Sequence, residues 1–371
     1  MDTSNSKRYH RIKNYLFLAG IILNIVLLLV FFISGLSLSL KGFLAERVPH
    51  YYLLNFLYIL IFSLAFYLTG LPLNFYEGYI LEHRFNLSRQ NIFSWLIHNL
   101  KQTFISLVML VLVVEFIYFV LRNFASTWWI WAGFFWLFLS LILVKITPSV
   151  LIPIFYKYVE IDNQELKGKI FSLFDHCNVK LKNIYAIDLS KDTKKANAFI
   201  CGLGNNRRVV LTDTLLNNFN NEQINSVVAH ELGHYKNRDT FKQVIWNSSL
   251  SLAAFFAVDI IFKQSMVSFG FQNIDDIALF PLFAFYLLVI SLIILPIQNG
   301  FSRFLETKAD CFSLKTVGSY AAYIDALTKL GEINLADFNP NPFIEFMLYD
   351  HPALSRRIDF AEQFKDKLKC Q

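Results

Sequence analysis

The chain has 371 residues, of which 55% are hydrophobic and only 17% carry a charged side chain. So few charges cannot cover the surface of soluble domains of this total length, whereas a bilayer needs no such cover, and the composition therefore favours a membrane protein. The net charge of +6 is spread along the chain without a dense basic run, which argues against nucleic acid as a partner.

Six apolar segments are each close to the roughly 20 residues that a helix needs to cross a bilayer. They are approximately Tyr15–Leu36, Tyr51–Pro72, Phe104–Leu121, Trp128–Leu151, Ile245–Phe262 and Ile277–Ile297. The segment between the first two, Ser37–His50, is predicted to be a loop, because it is too short to hold another span. The pattern predicts a mainly α, polytopic membrane protein with about six transmembrane helices.

The orientation follows from four basic residues before the first span, Lys7, Arg8, Arg11 and Lys13, which favour a cytoplasmic amino terminus. With six crossings, the polar segment Pro153–Val244 and the carboxy-terminal tail share the cytoplasmic side. We therefore expect a multi-pass integral membrane protein with these two segments on the cytoplasmic side. Its location would be the cytoplasmic membrane of a bacterium or the endoplasmic reticulum of a eukaryote.

The polar segment between the fourth and fifth spans is predicted to form a small α+β domain. Its expected elements are a helix at Glu165–Cys177, a strand at Asn183–Asp188, two strands at Asn197–Cys201 and Arg208–Thr212 joined by a turn through 202–206, and a helix at Asp213–Phe219. A further helix follows, with Asn220 or Asn221 as its cap. The chain thus divides into a membrane region with four helices (1–156), a central polar segment that includes this helix (157–244), two further transmembrane helices (245–300) and a carboxy-terminal segment (301–371).

The central motif is His230-Glu231-Leu232-Gly233-His234, which follows an apolar, helix-compatible run. Two histidines four residues apart on a helix project from one face, so both imidazoles can bind one Zn²⁺. Glu231 can then take a proton from the water that such a metal activates. We expect Gly233 to leave space beside the metal. The alternative is a surface helix that carries these residues by chance, and the context of the motif has to decide between them.

A catalytic zinc needs three protein ligands and one open position. Glu306 is the best candidate for the third ligand, and Asp310, one helical turn later, can orient a zinc-bound histidine. On spacing alone, a solvated helix with alternating acidic and basic residues explains this segment equally well.

Taken in order, these motifs resemble the type I CAAX prenyl proteases, which are integral-membrane zinc metalloproteases of the gluzincin class. The resemblance runs from about Leu68 to Ala361. It rests on Leu71-Pro72 through Glu82-His83-Arg84-Phe85-Asn86, Asn197-Ala198-Phe199, Val210 to Leu216, His230 to His234, the Glu306–Asp310 pair, and His351 to Ile358. The H-E-x-x-H motif is common to many proteases, but the ordered set is specific, and it favours Glu306 as the third metal ligand.

The resemblance also implies roles for residues outside the metal motif. It implies that Glu231 is the general base and that Asn197 lies near the substrate, where its amide can hold the substrate backbone or the developing oxyanion. It implies that His351 donates a hydrogen bond to the tetrahedral intermediate, and that Arg357 pairs with Asp310 or another site carboxylate. Without the resemblance, Asn197 and His351 would be interpreted as turn residues and Arg357 as a solvated tail residue.

These observations predict an endopeptidase with one Zn²⁺ per chain that cleaves near the carboxy terminus of lipidated (CAAX-like) or membrane-associated substrates. Residues 157–244 would be its metalloprotease segment, residues 301–371 would complete the zinc site, and the catalytic side would be cytoplasmic. Its partners are a peptide or protein substrate, prenylated or not, and the lipid bilayer; the sequence does not predict an oligomeric state. The strand near Asn197–Cys201 can bind peptide as an added strand if its edge is free. The alternatives are a membrane-protein quality-control protease with the same catalytic residues, and a non-catalytic transporter or scaffold. The complete set of ligand types argues against the last. Eukaryotic members of the family have seven spans, whereas six are predicted here.

Overall fold

A computed structural model describes residues 3–202 and 206–369 of the chain. Within these ranges, six helices are long and apolar enough to cross a membrane: Ser4–Ile33, Tyr51–Arg84, Ile92–Asn123, Trp128–Phe155, Asp239–Ser268 and Ile277–Val317. Each contains most or all of one predicted span, so the six spans and the mainly α fold with a small sheet are confirmed.

The amino-terminal helices are α1 (Thr3–Ile33), α2 (Leu36–Ala45), α3 (Tyr51–Phe75), α4 (Glu82–Arg84), α5 (Ile92–Asn123), α6 (Trp128–Ile146) and α7 (Ile152–Phe155). One π-helical turn, Tyr76–Leu81, joins α3 to α4, and another, Thr147–Leu151, joins α6 to α7. Neither π-helical turn was predicted, because a single turn is too short to show a periodicity of its own.

The segment predicted to be a loop at Ser37–His50 contains the helix α2, so that prediction was wrong. The Ser37 hydroxyl donates to the Ala278 carbonyl at 2.5 Å and contacts the Tyr58 hydroxyl at 2.6 Å. Leu44 is buried in the cluster that includes Tyr58. Tertiary contacts with neighbouring spans therefore stabilise a helix of ten residues, which is still too short to cross a bilayer.

The central domain contains a four-stranded sheet of β1 (Tyr158–Glu160), β2 (Asn183–Ile187), β3 (Ala198–Cys201) and β4 (Arg208–Thr212), in the order β1-β2-β4-β3. β2 and β4 are parallel, and the other two pairs are antiparallel. The three predicted strands are confirmed. β1 was not predicted, since three residues give too little alternation to detect. The central part of the predicted turn at 202–206, residues 203–205, lies outside the described residues.

Three helices of this domain are α8 (Gln164–His176), α9 (Asp213–Asn218) and α10 (Asn221–Lys236), each close to its predicted position. A buried apolar core joins α8 and α10 to the sheet, with Ile170, Phe174, Leu211 and Val228 among its fully buried members. This core fixes the face of α10 that points away from the sheet.

The remaining helices are α11 (Asp239–Ser268), α12 (Phe280–Val317), α13 (Tyr320–Ile333), α14 (Pro342–Leu348) and α15 (Leu354–Lys369). α12 continues far beyond the predicted end of its span at Ile297 and packs along α10. α15 packs against α13 through a small cluster that includes Tyr323 and Ala361. A membrane helix and the carboxy-terminal helices therefore meet at α10. The four-part division of the chain stays a prediction.

Candidate metal centre

The helix α10 is capped by Asn220, one of the two predicted candidates, and the cap is a complete capping box that was not predicted. The Asn220 side chain accepts from the Gln223 backbone N–H at 2.9 Å, and the Gln223 side chain accepts from the Asn220 N–H at 3.1 Å. These bonds satisfy donors that a helix start leaves unpaired. The cap and the buried core set the rotation of α10, so His230 and His234 share the face that meets α12.

Close packing between α10 and α12 depends on Gly233. A Cβ added there would lie 3.1 Å from the Ala309 Cα, the Ala309 carbonyl oxygen and the Phe312 Cβ. Gly233 therefore lets two helix backbones approach each other, and our expectation that it leaves space beside a metal was wrong. The approach brings Glu306, one turn before Asp310 on α12, opposite the two histidines.

Three side chains converge at this contact. The Nε2 atoms of His230 and His234 are 3.1 Å apart, and they lie 3.3 Å and 3.2 Å from the two Glu306 carboxylate oxygens. All three residues offer ligand atoms within 4.8 Å of one another. Tetrahedral zinc with bonds of about 2.0–2.1 Å holds its ligand atoms about 3.3 Å apart. The observed separations match that spacing.

The outer hydrogen bonds explain why a cation suits these atoms. The His230 Nδ1 lies 2.8 Å from Asp310 Oδ1, and the His234 Nδ1 lies 3.1 Å from Asp239 Oδ2. Each Nδ1 therefore carries the proton and donates to a carboxylate, which leaves a lone pair on each Nε2. Glu306 Oε2 is buried and has no hydrogen-bond partner among the described residues. The two Nε2 lone pairs and the Glu306 carboxylate repel one another, and a metal ion bound between them removes that repulsion.

Asp239 was not among the residues predicted from sequence. It is the first residue of α11, only 2% exposed, and the chain turns into it through Arg238 in the left-handed region at φ 56°. The sequence signal for this contact is an acidic residue five positions after the second histidine. The sequence does not define the direction of that side chain, because the direction depends on the turn at Arg238. Lys242 lies 3.1 Å from the other Asp239 oxygen.

Asp310 and Arg357 form a bidentate pair that the resemblance implied. Arg357 donates to the two Asp310 oxygens at 2.8 Å and 2.7 Å, and both residues are at least nine-tenths buried. Burial lowers the pKa of Arg357, but the Asp310 charge outweighs it and raises that pKa above its ordinary value. Asp310 thus contacts both His230 and a fixed cation, which holds the carboxylate ionised and in place.

Glu231 and His351 lie beside the ligand group. Burial raises the pKa of the Glu231 carboxyl above its ordinary value, against the opposing effect of the two neighbouring histidines. His351 Nε2 is 3.3 Å from Glu306 Oε1, and His351 Nδ1 donates to Asp350 at 2.8 Å. Burial lowers the pKa of His351, but the Asp350 hydrogen bond and the Glu306 charge raise it above its ordinary value.

Asn197 occupies a different position, at the start of the edge strand β3. Its side-chain oxygen accepts from the Ala198 N–H at 2.9 Å, and the residue is exposed. In the part of the chain that the structure describes, no hydrogen bond or ion pair joins it to the histidine group. The link is through packing, because β3 lies against α10.

Comparison with known families covers nearly the whole chain. The sequence model described as Peptidase family M48 matches residues 160–365. The model described as CAAX prenyl protease N-terminal, five membrane helices, matches residues 2–157. In that second range the described residues form four helices long enough to cross a membrane and the short apolar helix α2.

Individual relatives agree with this assignment. The chain is 28% identical over 362 residues to the uncharacterized metalloprotease YhfN of Bacillus subtilis (96% of this chain, 85% of the relative). It is 29% identical over 294 residues to the CAAX prenyl protease 1 homolog of Arabidopsis thaliana (78% and 69%). The crystal structure of S. mikatae Ste24p has the same fold, with a TM-score of 0.85 at 22% identity over 97% of this chain and 88% of that one. The chain belongs to peptidase family M48, as a multi-pass membrane metalloendopeptidase of the CAAX prenyl protease type.

Proposed function

We propose that the protein is a zinc endopeptidase that cleaves near the carboxy terminus of a lipidated or membrane-associated substrate. The observation that carries the proposal is the convergence of His230, His234 and Glu306, whose facing atoms lie at tetrahedral spacing. Zinc, when bound there, would supply a Lewis acid that polarises a peptide carbonyl and lowers the pKa of water. Family membership in a class of endopeptidases argues against the transporter or scaffold alternative.

Glu231 is the proposed general base. It lies between the two histidines on α10, and its raised pKa makes it a stronger base than an ordinary carboxylate. In the proposed reaction Glu231 accepts the proton of the attacking water and then delivers it to the leaving amine nitrogen. One residue can perform both steps because the proton stays on the same carboxylate between them.

His351 and Asn197 are proposed to hold the substrate as charge develops. His351 is oriented by Asp350, and its raised pKa favours the protonated ring, which donates to an oxyanion. The Asn197 oxygen is already bonded to its own backbone neighbour, which leaves its amide N–H groups as donors for a substrate. Asp310 and Arg357 act indirectly, by fixing His230.

The strand β3 offers a place for the substrate backbone. It ends the sheet, and it pairs only with β4 among the described strands. The Asn197 carbonyl accepts the Thr212 backbone N–H at 3.0 Å. Residues that bond to the partner strand alternate with residues that do not along an antiparallel pair, so the backbone groups of Ala198 and Ile200 point to the free edge. We infer that the substrate adds there as an extended strand.

The short distance between the metal group and the predicted spans supports the proposal that the substrate is bound to the membrane. Asp239, which contacts His234, lies six residues before the predicted span at Ile245, or about 9 Å along the helix. Glu306 lies nine residues after Ile297, or about 14 Å. A peptide bond at the site is therefore close to the hydrocarbon region. The basic residues in the first part of α1, before the predicted span at Tyr15, support a cytoplasmic position for the site.

The test uses detergent-purified full-length protein, a farnesylated peptide ending in a CAAX sequence, and the same peptide without lipid. Glu231→Gln is the matched control, because it keeps the shape of the side chain and removes the base. We expect about one zinc per chain in both proteins, cleavage by the wild type only, and faster cleavage of the lipidated peptide.

The other outcomes separate the alternatives. Equal cleavage of both peptides would remove the lipid preference but keep the protease. Bound zinc with cleavage only of a misfolded membrane protein would favour quality control. Absence of bound metal, tested with zinc, cobalt and manganese, would overturn the proposal.

A further inference from the structure

A cavity of about 380 Å³ lies where α5, the end of α7 and the segment before β3 meet. Its wall contains apolar, basic and acidic side chains: Phe93, Ile97, His98, Lys101, Lys191 and Asp192. None of these residues belongs to the metal group. A wall with both signs of charge beside apolar residues suits an amphipathic ligand that carries both charges.

The depth of this cavity matches the headgroup layer of a bilayer. α5 is 32 residues long, about 48 Å, and exceeds the hydrocarbon core of about 30 Å. Lys101 and His98 precede the predicted span start at Phe104 by about 4.5 Å and 9 Å along the helix. Each headgroup layer is about 5–8 Å thick. Further from the predicted span, Ile97 and Phe93 are 38% and 68% exposed, so the cavity opens to the surface on this side.

Asp192 supplies the acidic group of the cavity. Its side chain is only 7% exposed, and its Oδ2 has no hydrogen-bond partner among the described residues. The nearest cationic candidate, His98 Nε2, is 3.6 Å from that oxygen, too far for a hydrogen bond. The Tyr156 hydroxyl also interacts with this carboxyl group. A buried carboxylate oxygen without a donor is costly, and a ligand with N–H donors would remove that cost.

Two lysines supply the basic group. Lys101 Nζ donates to the Ile154 carbonyl at 3.2 Å, and Lys191 Nζ donates to the Phe155 carbonyl and to Asp188, each at 3.0 Å. An ammonium group has three donors, so each lysine keeps at least one for a ligand. The positive end of α5, whose first turn lines the same cavity, adds to the attraction for an anion.

We propose that this cavity binds a glycerophospholipid with a primary ammonium headgroup, namely phosphatidylethanolamine. The ammonium would donate to Asp192, and the phosphate would lie between Lys101 and Lys191. A choline headgroup has no N–H donor for Asp192, and a glycerol headgroup has no cation. The Asp192 carbonyl accepts the Arg89 N–H at 2.8 Å, so the segment around Asp192 is joined to the segment that precedes α5. A lipid bound to Asp192 would therefore hold the segment that leads to Asn197 against the membrane surface.

The experiment is native mass spectrometry of detergent-purified full-length protein with phosphatidylethanolamine, phosphatidylcholine and phosphatidylglycerol of equal acyl chains. For the wild type we expect a preference for phosphatidylethanolamine over phosphatidylcholine of about tenfold, the size of one charge-assisted hydrogen bond. Asp192→Asn should reduce that preference to below about threefold. Asp175→Asn makes the same change on the exposed surface of α8 and should leave it unaltered.

A second variant tests the proposed contact between the lipid phosphate and Lys101. Lys101→Gln should weaken retention of all three lipids without changing their order. The proposal is overturned if the wild type shows no preference between ethanolamine and choline headgroups, or if Asp192→Asn keeps the preference. It is also overturned if Lys101→Gln retains phosphatidylethanolamine at wild-type occupancy, a result that does not depend on the folding of Asp192→Asn.

Discussion

Asp239 Oδ2 lies 3.1 Å from His234 Nδ1 and so connects the end of the helix that carries the H-E-x-x-H motif to the first residue of a membrane span. The bond fixes the tautomer of His234 and the direction of its Nε2 lone pair. It also couples the metal group to α11, so a displacement of that span would change the ligand geometry.

Replacing Asp239 by Asn should weaken metal binding by about 10–100-fold, since loss of the charge lowers the basicity and order of His234. The measurement is a competition between the protein and a chelator of known affinity. Lys242→Gln is the matched control, because it removes the exposed partner of the other Asp239 oxygen and should cost less than about fivefold. Equal losses in both variants would contradict a specific role for the hydrogen bond between Asp239 and His234.

Gly233→Ala should force α10 and α12 apart. The added methyl group meets backbone atoms of Ala309, which cannot move aside as a flexible side chain can. We expect destabilisation of about 1–3 kcal/mol and weaker metal binding, because Glu306 moves with α12. Gly168→Ala is the matched control: it lies on α8 with nothing within 4 Å of the added carbon and should be neutral or stabilising. Wild-type zinc affinity in Gly233→Ala would contradict the close-packing role.

The Asp310–Arg357 pair predicts strong coupling in a double-mutant cycle. Arg357→Met alone should cost about 3–5 kcal/mol, because it leaves a buried carboxylate without its cation. The combination with Asp310→Asn should cost less than the sum of the single changes. The readout is the resistance of the α15 region to limited proteolysis, measured over a series of denaturant concentrations. Additive costs would mean that the pair contributes no interaction of its own.

The free edge of β3 predicts the effect of a proline. Ile200→Pro removes one outward N–H and keeps the bonds to β4, a substitution that edge strands tolerate. We expect kcat/KM to fall about three- to tenfold, the value of one hydrogen bond, with metal content unchanged. A substrate in which a methylene group replaces the facing backbone carbonyl should show no further loss with this variant. Unchanged kcat/KM would exclude strand addition at Ile200.

Much of this architecture follows from local sequence. The spans are determined by the length of apolar segments, and the cap at Asn220 and the shared face of His230 and His234 by the geometry of one helix. The resemblance then indicated Glu306, Asp310 and Arg357, and the structure brings all three to the histidines. Asn197 is the exception, since its position relative to the site rests on packing alone.

The apolar spans and the helix that carries the metal motif follow from sequence alone, because both depend on residues that are neighbours along the chain. Only the tertiary structure decided that Asp239 orients His234, that Gly233 faces Ala309, that β3 has a free edge, and that Asp192 lies in a cavity beside Lys101. Each of these depends on how separate elements cross and pack. Periodicity within one segment carries no information about such contacts, since the same helix can meet its neighbours at many rotations and depths.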